Sequence, residues 1–113
     1  MQIVDKKITI EELKKMSEAM YESLVKAVVD TEKNIMAVDA DMHAQEEALL
    51  LENGSKQENL WGINIYPYKT DDTWIEFDSI INIRPSYGNR SRGVDNVEIQ
   101  QKIKNIVNSL VTQ

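Results

Sequence analysis

The chain has 113 residues, 42% hydrophobic and 28% charged, with a formal net charge of −6; this is the composition of an ordinary soluble globular domain with one modest core. The absence of cysteine excludes disulfides, thiolate metal sites and a cysteine nucleophile. Residues 1–60 carry 13 acids against 7 lysines and residues 61–113 carry 6 acids against 6 bases, so the acidity lies in the first half and disfavours non-specific binding to nucleic acid.

Asp5, Glu11 and Glu12 near the start do not fit a signal peptide, and no apolar run approaches the roughly 18 residues that would span a membrane. The expectation is a cytoplasmic protein with a single domain over residues 1–113. Gln2 to Lys7 reads as a short first strand. Thr9 and Glu12 have the spacing of a capping box, flanked by Ile8 and Leu13 at the positions of a hydrophobic staple. Leu13, Met16, Met20 and Leu24 then fall on one helical face.

From Val25 the period changes. Val25–Asp30 and Ile35–Asp39 read as the arms of a β-hairpin around Thr31–Asn34, with Asn34 suited to a left-handed turn position. Apolar residues occupy both faces, so the hairpin is expected to be central or covered on both sides. Asp41 is the expected cap of a second helix, which Gly54 ends. Ser55 and Glu58 suggest one further helical turn.

A second hairpin follows, Trp61–Pro67 and Trp74–Arg84. Alternation puts Ile63, Ile65, Ile75, Phe77, Ile81 and Ile83 on one face. Asn64, Tyr66, Trp74, Glu76, Asp78, Asn82 and Arg84 take the other, unless the chain bends near Asp78–Ile80, where Ile80 breaks the polar pattern. Asp95 or Asn96 caps a last helix with Ile99, Ile103, Ile106 and Leu110 on its apolar face. The expected fold is α+β: a mainly antiparallel sheet built from two β-hairpin units, with about three helices packed on one face.

The segments LLLENGSKQENLWGINIYP and IEFDSIINIRPSYGNRSRGV carry a resemblance. With them the chain resembles a family of small uncharacterised single-domain prokaryotic proteins, classed as a domain of unknown function. The likeness covers most of the chain, most strongly His43 to Val94. It implies a stand-alone bacterial or archaeal protein, with no activity, cofactor or catalytic residue to carry over.

Candidate functional residues cluster in IINIRPSYGNRSRG, residues 80–93, which hold every arginine of the chain: Arg84, Arg90 and Arg92. A guanidinium offers a planar fork suited to carboxylate or phosphate. The plain alternative is that these arginines pair with the acidic surplus of residues 39–58 and hold a loop in place. His43 is the lone histidine, among Asp39, Asp41, Glu46 and Glu47; it is a candidate acid–base, and an ordinary helix start is the plain alternative.

No zinc ligand set, calcium loop, phosphate-binding loop or nucleophile elbow is present, so neither metal nor cofactor is expected. Three uses remain open. The first is an interaction protein, as a homo-oligomer or with an acidic partner, using the arginine loop and the Trp74/Tyr66 sheet face. The second is capture of a small anionic ligand by Arg84, Asn89, Arg90 and Arg92, with Trp74, Tyr66 and Asn82 nearby. The third is an enzyme with His43 as acid–base and the arginines as oxyanion clamps.

Overall fold

The fold follows from one hairpin of β-branched and small residues, too apolar to leave either face in water. The computed structural model describes residues 1–20 and 23–113. In it β3 (Val25–Asp30) and β4 (Ile35–Val38) pair antiparallel, joined by a turn in which Asn34 takes the left-handed conformation at φ 58°. Asp30 holds the turn, its Oδ1 accepting from the backbone N–H groups of Glu32 and Lys33. β1 (Gln2–Val4) adds to β4, and β5 (Leu60–Ile65) adds to β3, followed by the short β6 (Ile75–Glu76). The result is a five-stranded antiparallel sheet in the order β1-β4-β3-β5-β6. A separate parallel pair, β2 (Ile8–Thr9) with β7 (Val111–Thr112), ties the two ends of the chain together.

The α+β class and the mainly antiparallel sheet are as expected, but the helices are not all on one face. α1 (Ile10–Glu18) and α3 (Val97–Leu110) cover one side, where Leu13, Ile103, Ile106 and Val107 pack on Ala27, Val29, Met36, Val38, Ile63 and Ile65. α2 (His43–Glu52) covers the other, with Leu50 against Val28, Ala37 and Leu60. The physical reason is in the hairpin: Val28 and Ala37 are cross-strand partners on the face opposite Val29 and Met36, and both apolar faces need a lid.

Helix ends follow their chemistry, with some changes of cap. Thr9 caps α1 by accepting from the Glu12 N–H at 3.1 Å. That helix closes at Ala19, short of Leu24; part of its expected extension, residues 21 and 22, lies outside the described residues. Met42 rather than Asp41 stands at the cap of α2, where a thioether replaces the oxygen usual there. Asn96 caps α3, accepting from the Glu98 and Ile99 N–H groups.

The second hairpin departs most from expectation. Strand pairing stops after Glu76, and Ile80–Asn82 form a 3-10 turn in which the Asn82 N–H donates to the Ser79 carbonyl at 3.1 Å. The turn destroys the alternation, so Ile83 is exposed while Asn82 and Arg84 are buried. It also packs against β5 where Gly62 lies: a Cβ there would stand 2.6 Å from the Ser79 Cβ and Oγ. Gly62→Ala should therefore destabilise the fold by about 2–3 kcal/mol in urea titration, as overpacking does. Adding Ser79→Gly should recover part of that loss, and no recovery would mean the contact is not the cause.

Candidate functional site

Residues 80–93 are built on an amide that stands in for a missing strand. Beyond Glu76 the outer edge of β5 has no further strand partner among the described residues. Asn82 supplies one: its Oδ1 accepts from the Gly62 N–H at 2.8 Å, and its Nδ2 donates to the Gly62 carbonyl at 2.9 Å and to the Arg92 carbonyl at 2.9 Å. A primary amide presents the same donor and acceptor as a peptide, so it continues the sheet's bonding without continuing its backbone.

Asn89 does the same for the loop. It is buried; its Nδ2 donates to the carbonyls of Asn82, Ser91 and Gly93, and its Oδ1 accepts from the Asp95 N–H. Its main chain bridges Arg84, closing residues 84–89 into a small ring that turns at Gly88, φ 82°.

The arginines divide into separate roles. Arg84 is buried, donates to the carbonyls of Gln57 and Leu60, and lies 4.5 Å over the Trp61 ring. Its burial lowers its pKa, an effect that the charge of Glu47 opposes; Arg84 Nε and Glu47 Oε2 are both buried without a hydrogen-bond partner. Arg92 is exposed and pairs through Nε with Asp78 at 2.6 Å. Arg90 is exposed, and its backbone N–H donates to Asp95 Oδ2 at 2.9 Å. Asp95 also accepts from the Ser91 hydroxyl at 2.5 Å. Those two bonds, the hydroxyl first, lower its pKa. Asp95 thus fastens the loop and leaves the α3 cap to Asn96.

His43 opens α2 and meets this stretch from the other side. Its Nε2 donates to the Ile63 carbonyl at 2.8 Å; a carbonyl only accepts, so the proton of the neutral ring is on Nε2 and the lone pair on Nδ1. Burial lowers the His43 pKa more than the Ile63 bond raises it. With Lys26, Met42, Ile80, Ile81 and Arg92 it lines a groove of about 250 Å³. Two of these residues are large and exposed, Ile80 at 68% and Met42 at 56%.

Of the expected site residues, the fold brings His43 and Arg92 to one groove and turns Arg84, Asn82 and Asn89 inward. Trp74 does not lie on the side of the arginine groove, whereas Tyr66 alternates with Asn64, whose cross-strand partner Lys26 lines that groove. Trp74 belongs to a 3-10 turn, packs against the α1/α3 core, and lines a different cleft with Tyr68. Tyr66 bonds Glu76 through its hydroxyl and lies under Lys69. Sequence reasoning did not select Lys26 and Met42, which carry no motif. Ile80 did leave a signal, as the one apolar residue on an otherwise polar side of the alternation. Among the described residues no group of three or more His, Asp or Glu side chains could hold a metal ion, and no helix is long and apolar enough to cross a membrane.

Glu46 is buried on the sheet side of α2, where its Oε2 accepts from the Ala40 N–H and its Oε1 has no partner. Burial pushes its pKa from 4.5 up to about 9, so the fold holds a proton that the unfolded chain releases.

The molecule is thus an α+β protein whose sheet edge is completed by side-chain amides, with a mixed apolar and basic groove beside that edge. Residues 2–110 match the family model described as "Protein of unknown function (DUF5674)", and the chain belongs to that family. No curated protein and no solved structure matches it.

Two outcomes follow. Asn82→Asp keeps the shape but loses both donors, leaving the Gly62 and Arg92 carbonyls facing a carboxylate; it should cost about 2–4 kcal/mol in urea unfolding, and a cost under about 1 kcal/mol would show that the amide does not complete the edge. For Glu46, stability is greatest below pH 4.5 and falls as the pH rises toward 9, because the unfolded chain ionises first. Glu46→Gln should therefore be the more stable protein at neutral pH, by on the order of 3 kcal/mol, with the gain vanishing near pH 4. Parallel pH profiles of the two proteins would expose a flat difference if Glu46 were ionised in the fold.

Proposed function

We propose that this is an interaction protein, and that its contact surface is the His43 groove. The observation that carries the reading is the pair of large, exposed aliphatic side chains, Ile80 and Met42, set beside Lys26 and Arg92. Scattered exposed apolar residues are normal, but apolar side chains grouped at a concave, basic place mark contact surfaces. The groove, at about 250 Å³, is smaller than the roughly 300–1,000 Å³ of small-molecule pockets. It suits one or two side chains of a partner better than a free ligand.

The occupant that fits is an acidic segment with an aliphatic anchor. Lys26 makes no ion pair among the described residues, and Arg92 spends its Nε on Asp78 while its terminal nitrogens remain for a carboxylate. Arg90, exposed on the same loop, extends the basic rim. The apolar anchor would supply affinity, and the charges orientation and encounter rate.

The test is a pair of labelled peptides sharing a central leucine, one flanked by aspartate and glutamate, the other by asparagine and glutamine. Anisotropy should show the acidic peptide binding more tightly, with affinity falling as salt rises. Ile80→Asp should weaken it about tenfold. Equal binding of the two peptides, or indifference to Ile80→Asp, would overturn the reading. A dimer in light scattering that Ile80→Asp dissociates would give the groove to a second copy instead.

A further inference from the structure

The same stretch that borders the basic groove also borders a second cleft of different chemistry. Past Arg84 the closed ring of residues 84–89 carries Tyr87, 58% exposed. Tyr87, Gly88 and Asn89 form one wall of a cleft of about 480 Å³, Glu58, Asn59 and Trp61 another, and the first turns of α3, at Asn96 and Ile99, close it. That volume falls within the range of small-molecule sites.

We infer that this cleft binds a neutral hydroxylated ring, a saccharide, stacked on Tyr87. Three observations carry the assignment. The first is the balance of open polar groups. Asn59 Nδ2 donates to Glu32 and Asn96 Oδ1 is spent on the α3 cap, which leaves Asn59 Oδ1 as an acceptor and Asn96 Nδ2 as a donor. The Glu58 carboxylate, unpaired among the described residues, is a second acceptor. A cation needs acceptors only and a phosphate needs donors only. A sugar hydroxyl uses both at once.

The second observation is charge: the cleft is lined by no lysine, arginine or histidine, and Glu58 repels an anion. This separates it from the basic groove at the other end of the same stretch. The third is rigidity. Tyr87 stands on a ring fastened by the Arg84–Asn89 bridge, by the three bonds from Asn89 Nδ2, and by the buried guanidinium of Arg84 beneath. A backbone held this way sets the exposed Tyr87 ring at a fixed place beside the cleft, so little main-chain ordering is left to oppose binding.

The experiment is an amide-resolved NMR titration of the full chain with D-glucose, D-galactose, D-mannose and N-acetylglucosamine, and separately with adenosine and inorganic phosphate. At least one sugar should shift the Tyr87, Gly88, Asn89 and Asn96 amides saturably in the millimolar range, with the Lys26 and Ile80 amides unmoved. Tyr87→Ala, at an exposed position, should weaken that binding about tenfold, and Glu58→Ala should weaken it also. Silence of the cleft amides with every sugar overturns the inference. So does binding of adenosine alone, which makes the occupant a flat base, or of phosphate, which makes it an anion. Because the reporting amides belong to the cleft and not to the basic groove, failure here leaves the peptide reading untouched, and the reverse holds.

Discussion

The structure turns on the contact between the Asn82 side-chain amide and the Gly62 backbone. A sheet edge with unpaired N–H and C=O groups is costly when covered and sticky when open. At Gly62 this chain satisfies the edge with a side chain: Asn82 Oδ1 and Nδ2 take up the N–H and the carbonyl, 2.8 and 2.9 Å away. Gly62 admits the turn at Ser79 because it has no Cβ. The Asn82 side chain also holds the Arg92 carbonyl, and its main-chain carbonyl accepts from Asn89 Nδ2, so this one residue sets the course of the whole stretch to Gly93. The basic groove and the Tyr87 cleft are its two ends.

The arginines show how burial sorts residues of one type. Arg84 is under the ring on Trp61, its donors turned to backbone carbonyls; it acts as a strut. Arg92 keeps one foot on Asp78 and the other in the groove, while Arg90 is open to water. Of the three, only the latter two are exposed to solvent. The long-range field of an acidic protein works against anionic partners, but salt confines it to about 10 Å, so the proposed contact at the groove rests on these local cations.

Much of the scaffold was legible beforehand. Thr9 before an amphipathic run, Asn34 between two β-branched arms and Gly54 after a helix each act through local sterics or one nearby hydrogen bond, which a short window of sequence contains. The two-sided apolarity of the hairpin said that it would be central or covered on both sides, though not that α2 alone would take one of the faces. The geometry around the candidate residues was legible in part: Ile80, Ile81 and Arg92 of the stretch 80–93 do line one groove, and Ile80, which breaks the polar pattern, is exposed. Asn82 and Arg84 read as outward because alternation had been carried through a turn. Trp74 was assigned to the arginine surface by the same error, whereas its ring packs on the α1/α3 core.

By itself, the sequence determined most element types, the antiparallel hairpins, the helix starts at Thr9 and at Asp95 or Asn96, and a concentration of arginine in one loop, since each depends on residues a few positions apart. Tertiary structure alone decided that Asn82 faces Gly62 across 20 residues, that His43 from α2 shares a groove with Arg92, and that Arg84 is buried and Ile80 exposed. Those outcomes depend on which strand edge lacks a partner and what lies within reach of it. That is a property of the packed chain, where a side-chain amide and a backbone amide are interchangeable and only proximity says which one completes the sheet.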